Sequence, residues 1–255
     1  MIRIDSYVTG SQGFVGKHLM KKLKGMTVPI KQKQMPYDDC EHLFFLSTYG
    51  NMASHTDHTE MIRANVVDPL MWIQSELVKG LFVFMSSSSV TLPVQTPYSM
   101  TKRAAELILL SLPELPSAIV RPYSITGVGE QKEHLIPTLI RSCMEGAPMD
   151  FDASPVHDFV DVTEVADALI SLAGDKATGI FELGSGIPHT NQQVRELVEG
   201  VCGKKANIQS SVRMRAYDNE QWYCRNPTPY LHHRKPLKQS IYEMVTEYKI
   251  SNCIN

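Results

Sequence analysis

The sequence predicts an α/β protein built on a doubly wound parallel β-sheet. Short apolar runs alternate with helical segments through about residue 125, and a glycine-rich turn joins the first apolar run to the first helix. With 255 residues, 43% of them hydrophobic, the chain can bury one sizeable core and a smaller second region. We therefore expect a sheet domain over residues 1–125. Residues 126–255 are expected to form mainly a second region, with some segments returning to the sheet domain.

Composition excludes several classes of protein. The formal net charge is -2, so the chain offers no basic surface for polymeric nucleic acid. Its five cysteines are widely spaced and form no C-x-x-C pattern, which argues against a disulfide framework or a zinc site. The N-terminus lacks a signal-peptide core, and no run of about 18 apolar residues occurs. We expect a cytoplasmic protein that binds neither nucleic acid nor a membrane.

The glycine-rich turn has the context of a phosphate-binding loop. A predicted strand from Ile4 to Thr9 leads into the turn, and a predicted helix from Lys17 to Lys24 follows it. Glycines allow close backbone approach, and free N–H groups at a helix start attract a pyrophosphate. The glycine spacing of three and three differs from the commonest dinucleotide motif, and a plain strand-to-helix turn is the alternative. The predicted cofactor-binding residues here are Gly10, Ser11, Gln12, Gly13, Phe14, Val15 and Gly16.

The region after the second predicted strand, Met26 to Ile30, bears on the choice of cofactor. An NAD-binding unit usually places an acidic residue about 20 residues beyond the first glycine, and Lys31 occupies that place, followed by Lys33. A cation at this position can bind the 2′-phosphate of NADP, which favours NADP over NAD. The alternative is that both lysines are ordinary solvated surface residues. The next strand, Glu41 to Ser47, follows too soon for a full crossover helix, so we expect an abbreviated sheet here.

The middle of the chain contains a polar loop and a long helix. His55 and His58 lie in the loop over residues 48–60, but no third ligand is near, and we expect no metal site. Residues 61–79 are predicted to form an amphipathic helix that contains Asn65. Pro69 should kink this helix unless it lies in the first turn of a second segment.

A strand from Leu81 to Met85 ends in a run of four serines, residues 86–89. Polar residues at the carboxyl end of a parallel strand lie where open α/β sheets bind ligands. Tyr98 and Lys102 follow on one face of a predicted helix. We expect the ammonium to lie beneath the phenol and to lower its pKa, which would tune the phenol as an acid or base. A lone Tyr-x-x-x-Lys pair is common on helix surfaces, so the surrounding motifs decide its meaning.

The remaining predicted elements complete the chain. Pro122 is expected to end the strand that precedes it, and Thr163 is expected to cap the helix that it begins. The predicted segments are a strand over 117–121, a helix over 133–145, an extended segment over 156–162, a helix over 163–173, a strand with a glycine turn over 179–186, and helices over 191–202 and 239–249.

These motifs together resemble the extended short-chain dehydrogenase/reductase family, in the group of NAD(P)-dependent enzymes that act on nucleotide sugars. The turn from Thr9 to Gly16 is similar to the T-G-x-x-G-F-x-G loop of that family. Asn65, the serine run, Tyr98 and Lys102 follow the order of its Asn-Ser-Tyr-Lys tetrad. Further similar motifs are Arg121-Pro122, the run from His157 to Val162, and the run from Phe181 to Gly186.

The resemblance implies a Rossmann-type dinucleotide-binding domain and a substrate-binding region, with a homodimer as the assembly. It implies that Tyr98 is the acid/base, that Lys102 lowers its pKa and holds the nicotinamide ribose, and that Asn65 supports Lys102 through helix geometry and water. Ser87 is favoured as the catalytic serine, with Ser88 as the alternative. The further cofactor residues that it implies are Leu46, Ser47, Lys102 and Pro122, and the substrate residues are Ser88, Ser124, His157 and Arg225.

Departures from the family pattern narrow the expected activity. Ser88 and Ser89 stand where dehydratases of the family carry an Asp-Glu pair, which argues against dehydration of the sugar. His157 stands where an arginine often binds the substrate diphosphate; Arg213, Arg215 and Arg225 are alternatives for that role. The expectation is an epimerase or ketoreductase of a nucleotide-linked sugar. The alternative from another class is a non-catalytic dinucleotide-binding module, which the intact Tyr98–Lys102 pair disfavours.

Overall fold

The computed structural model describes residues 4–31, 34, 38–52, 54–211 and 222–253. In chain order the strands are β1 (Ile4–Thr9), β2 (Thr27–Ile30), β3 (Cys40–Phe45), β4 (Val78–Met85), β5 (Ser117–Pro122), β6 (Ser124–Thr126), β7 (Met149–Phe151), β8 (Val156–Asp161), β9 (Gly179–Leu183), β10 (Pro188–Thr190) and β11 (Ile208–Ser211). The helices are α1 (Phe14–Lys22), α2 (His58–Ile62), α3 (Asp68–Gln74), α4 (Pro97–Leu110), α5 (Leu135–Glu145), α6 (Val162–Gly174), α7 (Asn191–Cys202) and α8 (Leu237–Ser251). A π-helical turn, Arg63–Val67, joins α2 to α3, and a 3₁₀ turn, Ser88–Thr91, follows β4.

The chain divides into two compact units, each made from separate segments. Unit 1 contains residues 1–122, 165–183 and 228–230, and unit 2 contains residues 123–164, 184–227 and 231–255. No helix among the described residues is long and apolar enough to cross a lipid bilayer.

Unit 1 is built on a six-stranded sheet in the order β2-β1-β3-β4-β5-β9. Every neighbouring pair of strands runs parallel. The predicted parallel sheet is therefore confirmed. Since parallel strands share one direction, their carboxyl ends meet at one edge, where Thr9 pairs with both Ile30 and Phe45.

Helices cover both faces of this sheet, as a doubly wound fold requires. Alternate strand residues such as Leu43 and Phe82 pack with Trp72 of α3 and Leu109 of α4 in one buried cluster. The intervening strand residues are also buried, so the opposite face is covered as well. The Lys22 ammonium of α1 donates a 2.7 Å hydrogen bond to Asp167 of α6.

The connection from β2 to β3 is short. It consists of residues 31–39, and its described residues contain no helix. The sheet is thus abbreviated after its second strand, as predicted from the spacing of the two apolar runs.

The prediction of one helix over residues 61–79 is wrong. Helical backbone runs from His58 to Gln74 and changes type at the π-helical turn, where Asp68 N–H donates to the Arg63 carbonyl five residues back. Pro69 lies in the first turn of α3, where its missing N–H costs no helical hydrogen bond. Strand β4 already begins at Val78, because the last predicted helical residues pair with β3 instead.

The described residues of unit 2 form two small sheets and three helices around a core of their own. The sheets have the orders β10-β8-β6 and β11-β7. Apolar residues of α5, α7 and α8, including Leu139, Val198 and Ile241, form the buried cluster with Phe159 of β8. The prediction that Thr163 caps α6 is wrong, because the Asp161 carboxylate accepts hydrogen bonds from the Thr163 N–H at 2.8 Å and hydroxyl at 2.5 Å.

We predict that Gly16→Ala destabilises the protein by about 1–3 kcal/mol, through overpacking against backbone. A Cβ at Gly16 would lie 2.1 Å from the Gly10 carbonyl oxygen and 2.7 Å from Ser11 Cα. The matched control is Gly200→Ala in α7, where a Cβ meets nothing within 4 Å and should stabilise the helix by about 0.5–1 kcal/mol. Urea-unfolding midpoints measure both changes. Equal effects of the two substitutions would contradict the tight packing of Gly16.

Candidate active site

The glycine turn in unit 1 has the geometry that a dinucleotide pyrophosphate requires. Gly10 has a φ of +67°, and a Cβ there would lie 3.0 Å from the Ser47 nitrogen. Gly13 precedes α1 as its N-cap, and no side chain caps the helix, so the first N–H groups of α1 are not taken by a capping side chain. A phosphate group would fit here, because the N-terminus of α1 carries a positive partial charge and the glycines have no Cβ atom to block its approach to the backbone.

The buried Thr9 side chain ties this turn to the end of β3. Its Oγ1 accepts hydrogen bonds from the backbone N–H groups of Leu46, at 3.1 Å, and Ser47, at 3.2 Å. The structure therefore brings the predicted cofactor residues Leu46 and Ser47 next to Gly10. Pro122 ends β5 on the same sheet, and Lys31 is exposed directly after β2. Lys33 lies outside the described residues.

Tyr98 and Lys102 lie on α4, whose start is fixed by a capping box. The Thr96 hydroxyl accepts from the Ser99 N–H, and the Ser99 hydroxyl accepts from the Thr96 N–H. Tyr98 is therefore held in the first helical turn, with its phenol in side-chain hydrogen-bonding interactions with Thr48 and Ser87. Lys102 is fully buried one turn later.

The expected effect of Lys102 on the Tyr98 phenol is not what the structure shows. Burial raises the pKa of Tyr98, and the lysine is not among the groups that shift it. The Lys102 ammonium donates a 2.8 Å hydrogen bond to the Met85 carbonyl and lies 4.8 Å from the centre of the Phe84 ring. Burial lowers the pKa of Lys102 from 10.5 to about 7, although the nearby Glu106 opposes this change. The lowered pKa of Lys102 therefore weakens the positive charge that was expected to act on the phenol.

A buried ion pair lies beneath Lys102, and sequence reasoning missed it. Glu106 accepts hydrogen bonds from Arg121 Nε at 2.8 Å and from the Ser86 hydroxyl at 2.6 Å. Burial acts to raise the pKa of Glu106, but hydrogen bonds from Arg121, Ser86 and Arg103 hold it below its usual value. The available signal was the position of Glu106, four residues after Lys102 on the same helix face.

The Asn65 side chain is fully buried in the π-helical turn and contacts Thr48, Tyr49 and Thr101. It thus joins the loop after β3 to helix α4. Its support of Lys102 through helix geometry and water stays a prediction. Sequence reasoning missed Thr48 and Thr101, which carry polar side chains of common type with no distinctive spacing.

The serine run divides into four different environments. Ser86 donates to Glu106, Ser87 interacts with the Tyr98 phenol, and Ser89 lies 2.8 Å from Ser87 between their hydroxyl oxygens. Ser88 is fully buried, and its hydroxyl has no hydrogen-bond partner among the described residues. This geometry favours Ser87 over Ser88 as the serine that acts with Tyr98.

In unit 2 the structure brings together two of the predicted substrate residues. The Ser124 hydroxyl of β6 lies 3.2 Å from His157 Nδ1 of β8. The His157 ring centre lies 5.8 Å from that of Trp222 and 5.7 Å from that of Phe159. Arg225 is exposed, with its guanidinium 5.6 Å from the centre of the Tyr223 ring. Arg213 and Arg215 lie outside the described residues.

A buried carboxylate joins the two unit 2 motifs that the sequence analysis singled out. Asp158 accepts hydrogen bonds from the N–H and hydroxyl of Ser185, at 2.7 and 2.6 Å, and from the N–H groups of Gly186 and Cys224, both at 2.9 Å. A Cβ at Gly184 would lie 2.7 Å from this carboxylate, so the turn needs glycine there. The run from His157 and the glycine turn after β9 thus form one structural element.

The depressed pKa of Lys102 predicts a pH-dependent contribution to stability. Between about pH 7 and pH 10.5 the unfolded chain binds a proton at this position that the folded chain lacks, so the free energy of unfolding rises with pH in that window. We expect the stability of the wild type relative to Lys102→Met to increase across the window, measured by urea unfolding. Lys238→Met, on the exposed side of α8, serves as the control. A constant difference between wild type and Lys102→Met would show that Lys102 stays protonated.

Comparison with known proteins places this arrangement in a family. The family model described as NAD dependent epimerase/dehydratase family matches residues 33–184. GDP-6-deoxy-D-mannose reductase from Pseudomonas aeruginosa is 25% identical over 240 residues, which cover 76% of this chain and 77% of that protein.

Solved structures share the fold. UDP-glucose 4-epimerase from Thermus thermophilus, solved with NAD, has a TM-score of 0.81 at 18% identity over 96% of this chain and 99% of that one. RMD from Pseudomonas aeruginosa, solved with NADPH, has a TM-score of 0.78 at 19% identity over 97% and 99%. The Rossmann-type fold and the resemblance stated from the motifs are thus confirmed. Because the family model covers more than half of the 255 residues, the chain belongs to the NAD dependent epimerase/dehydratase family.

Proposed function

We propose that this protein is an NADP(H)-preferring ketoreductase or epimerase of a nucleotide-linked sugar, acting in the cytoplasm. The observation that carries the proposal is the Tyr98 phenol, which interacts with the Ser87 hydroxyl on the same unit as the glycine turn. The name of the Pseudomonas aeruginosa relative, a GDP-6-deoxy-D-mannose reductase, supports a nucleotide sugar as the substrate class.

The residues divide the chemistry between them. When bound, a reduced nicotinamide supplies the hydride that a carbonyl carbon of the sugar accepts. Tyr98 gives its phenolic proton to the carbonyl oxygen, which becomes the alcohol, and Ser87 donates a hydrogen bond to that oxygen. Burial keeps the phenol in its protonated form, which is the form that this step uses. We therefore favour reduction over epimerisation. An epimerase would use the same residues, once for an oxidation step and once for a reduction step.

The cofactor preference rests on Lys31. This exposed cation directly follows β2, where a carboxylate would hold the ribose hydroxyls of NAD. A lysine favours the 2′-phosphate of NADP instead. In unit 2, Ser124 and His157 are the proposed contacts to the substrate, with Arg225 as a further cation for its diphosphate.

We expect Tyr98→Phe to lower turnover by at least about 100-fold, because a positioned acid contributes a factor of this size. The assay follows reduced nicotinamide by its absorbance, with GDP-6-deoxy-D-mannose or UDP-glucose and oxidised NADP. Titrations with NADPH and NADH should show that Tyr98→Phe binds each nucleotide as tightly as the wild type does. Both proteins should bind NADPH more tightly than NADH. Tyr242→Phe, an exposed tyrosine of α8, is the matched control.

The possible outcomes of these measurements separate the alternatives. Full turnover by Tyr98→Phe, or no affinity for either nucleotide, would refute the proposed enzyme. Nucleotide binding without any turnover by the wild type on a wider panel of nucleotide sugars would favour a non-catalytic dinucleotide-binding module. A dinucleotide retained through purification, seen by native mass spectrometry, would favour an epimerase, whereas dependence on added NADPH would favour a reductase.

We also propose that a second copy of the chain covers an apolar surface of unit 1. Exposed apolar side chains on α4 are Met100, Leu107 and Leu110, and on the neighbouring helical segments they are Ile62, Val67 and Met71. Exposed apolar groups clustered on adjacent helices are typical of an interface between proteins.

Sedimentation velocity should show a homodimer for the wild type. Leu107→Glu places a charge on this surface and should yield monomers at the same concentration. Ile250→Glu, at an exposed position of α8, should leave the dimer intact. A monomeric wild type would refute this assembly, and so would a dimer that tolerates Leu107→Glu.

A further inference from the structure

Residues 222–227 of unit 2, here called the strap, are anchored to a buried carboxylate. The Cys224 N–H of the strap donates a 2.9 Å hydrogen bond to Asp158 Oδ2, and both residues are buried. The strap is therefore tied to β8, although 66 positions separate the two residues in the sequence.

Two glycines of the turn over residues 184–186 let the strap pack closely on this turn. A Cβ at Gly184 would overlap the Cys224 Cβ, and a Cβ at Gly186 would lie 3.2 Å from the Pro227 Cγ. Gly186 also has a φ of +77°, a conformation that favours glycine. The position of the strap is thus fixed by close packing at two of its residues and by one hydrogen bond to a buried carboxylate.

The strap carries two residues of the candidate substrate region. Trp222 lies two positions before the anchored Cys224, and Arg225 directly follows it. The Trp222 ring centre lies 5.8 Å from that of His157, whose Nδ1 lies 3.2 Å from the Ser124 hydroxyl. The anchor therefore sets the position of an aromatic ring that packs against a proposed substrate contact.

The position of Trp222 is not favourable for its own N–H group. The indole nitrogen is buried and has no hydrogen-bond partner among the residues that the structure describes. A buried donor without a partner is destabilising, because it has lost its hydrogen bond to water. A released strap would let the indole turn its N–H toward water, so its contact with His157 depends on the anchor.

The two carboxylate oxygens of Asp158 bind different segments. Oδ1 accepts from the Ser185 N–H at 2.7 Å and from the Ser185 hydroxyl at 2.6 Å, both within the glycine turn. Oδ2 accepts from the N–H groups of Gly186 and Cys224, both at 2.9 Å. One oxygen thus stabilises the turn alone, and the other joins the turn to the strap.

We propose that Asp158 is a positioning residue for the nucleotide-sugar substrate, because it anchors the strap that presents Trp222 to His157. Asp158 is only 1% exposed, so it acts through the strap rather than by touching the substrate. The inference deepens the proposed function and rests on it, since Ser124 and His157 are the proposed substrate contacts of unit 2. The expected effect is on substrate binding and not on the chemical step.

The first measurement follows Trp222 in the full-length protein labelled with fluorotryptophan, and it needs neither substrate nor cofactor. The chain has two tryptophans, and the Trp222 resonance in the fluorine NMR spectrum is assigned by its loss in Trp222→Phe. We expect Asp158→Ala to increase the change in this resonance between light and heavy water, because the indole becomes exposed to solvent. The resonance of Trp72, which is buried in unit 1, should not change.

Asp158→Asn separates the contributions of the two oxygens. Its amide oxygen can replace Oδ2 and accept from Gly186 and Cys224, while its NH₂ group faces the Ser185 hydroxyl, which can turn to accept. The hydrogen bond from the Ser185 N–H is lost, but the anchor of the strap is kept. This variant should therefore retain the wild-type Trp222 resonance, whereas a general loss of structure in the turn would change it in both variants.

The second measurement is substrate affinity. We expect Asp158→Ala to raise the KM for the nucleotide sugar by about 5-fold, the factor that one net hydrogen bond contributes, and to weaken GDP or UDP binding equally. The kcat should stay unchanged, because a loss of binding alone raises KM. Asp150→Ala, which removes an exposed carboxylate of β7 in the same unit, is the matched control and should change neither quantity.

Pro227→Ala tests the strap if Asp158→Ala does not fold, as judged by circular dichroism. It removes the ring that packs against Gly186 and leaves the carboxylate in place, so it loosens the strap at its other end. We expect it to expose Trp222 to solvent in the same way.

The outcomes distinguish the role of the anchor from the activity of the protein. An unchanged Trp222 resonance in Asp158→Ala and Pro227→Ala would refute the anchor, and so would equal changes in Asp158→Asn and Asp158→Ala. Exposure of Trp222 with an unchanged KM in an active enzyme would refute the role in substrate positioning alone. The expected change at Trp222 in a protein that lacks turnover and binds neither GDP nor UDP would support the anchor and refute the proposed function.

Discussion

The buried pair of Glu106 and Arg121 is the constraint on which the arrangement of the candidate site in unit 1 depends. Neither charge could stay buried alone, because the cost of removing an unpaired charge from water is several kcal/mol. Glu106 belongs to α4, Arg121 to β5, and Ser86, which also donates to the carboxylate, follows β4. The helix therefore cannot slide or rotate on the sheet without breaking this pairing. Lys102 and Tyr98 lie one and two turns earlier on the same helix, so their positions follow from it.

In unit 2 a single buried carboxylate, that of Asp158, holds separate segments of the chain together in a similar way. Backbone N–H groups of two separate segments and the Ser185 hydroxyl surround the Asp158 carboxylate and donate hydrogen bonds to it. A buried carboxylate is stable only when its oxygens have such partners. Two polar elements that are distant in the sequence thereby become one rigid structure, next to the β-strands that present Ser124 and His157.

Local pattern was sufficient for the parallel sheet, the glycine turn and most helix positions. Strand β1 and helix α7 occur as predicted, because apolar alternation and flanking glycines are properties of neighbouring residues. The helix over residues 61–79 was not predictable in detail, since the π-helical turn depends on what Asn65 contacts. Threonine and aspartate are both good N-cap residues, so the sequence alone did not decide between Thr163 and Asp161 as the cap of α6. The structure shows that the Asp161 carboxylate accepts the capping hydrogen bond.

The electrostatics of the candidate site could not be obtained from spacing. A lysine four residues from a tyrosine predicts attraction between a cation and a phenolate, but burial reverses the balance for both groups. Thr48, Thr101 and Glu106 escaped notice for a related reason. Their side chains are of common types, and their roles arise only when the loop after β3, the π-helical turn and α4 come together.

The π-helical turn itself has a consequence for how this region can vary. In a regular α-helix the carbonyl of Asn65 would accept from residue 69, and Pro69 has no N–H to give. A π-helical turn contains one residue more between its hydrogen-bonded groups than an α-helical turn does. Deleting a single residue from it would yield a more regular helix but would rotate Asn65 by about 100° relative to one of its flanks. Natural variants should therefore tolerate side-chain replacements along this turn far better than they tolerate a change in its length.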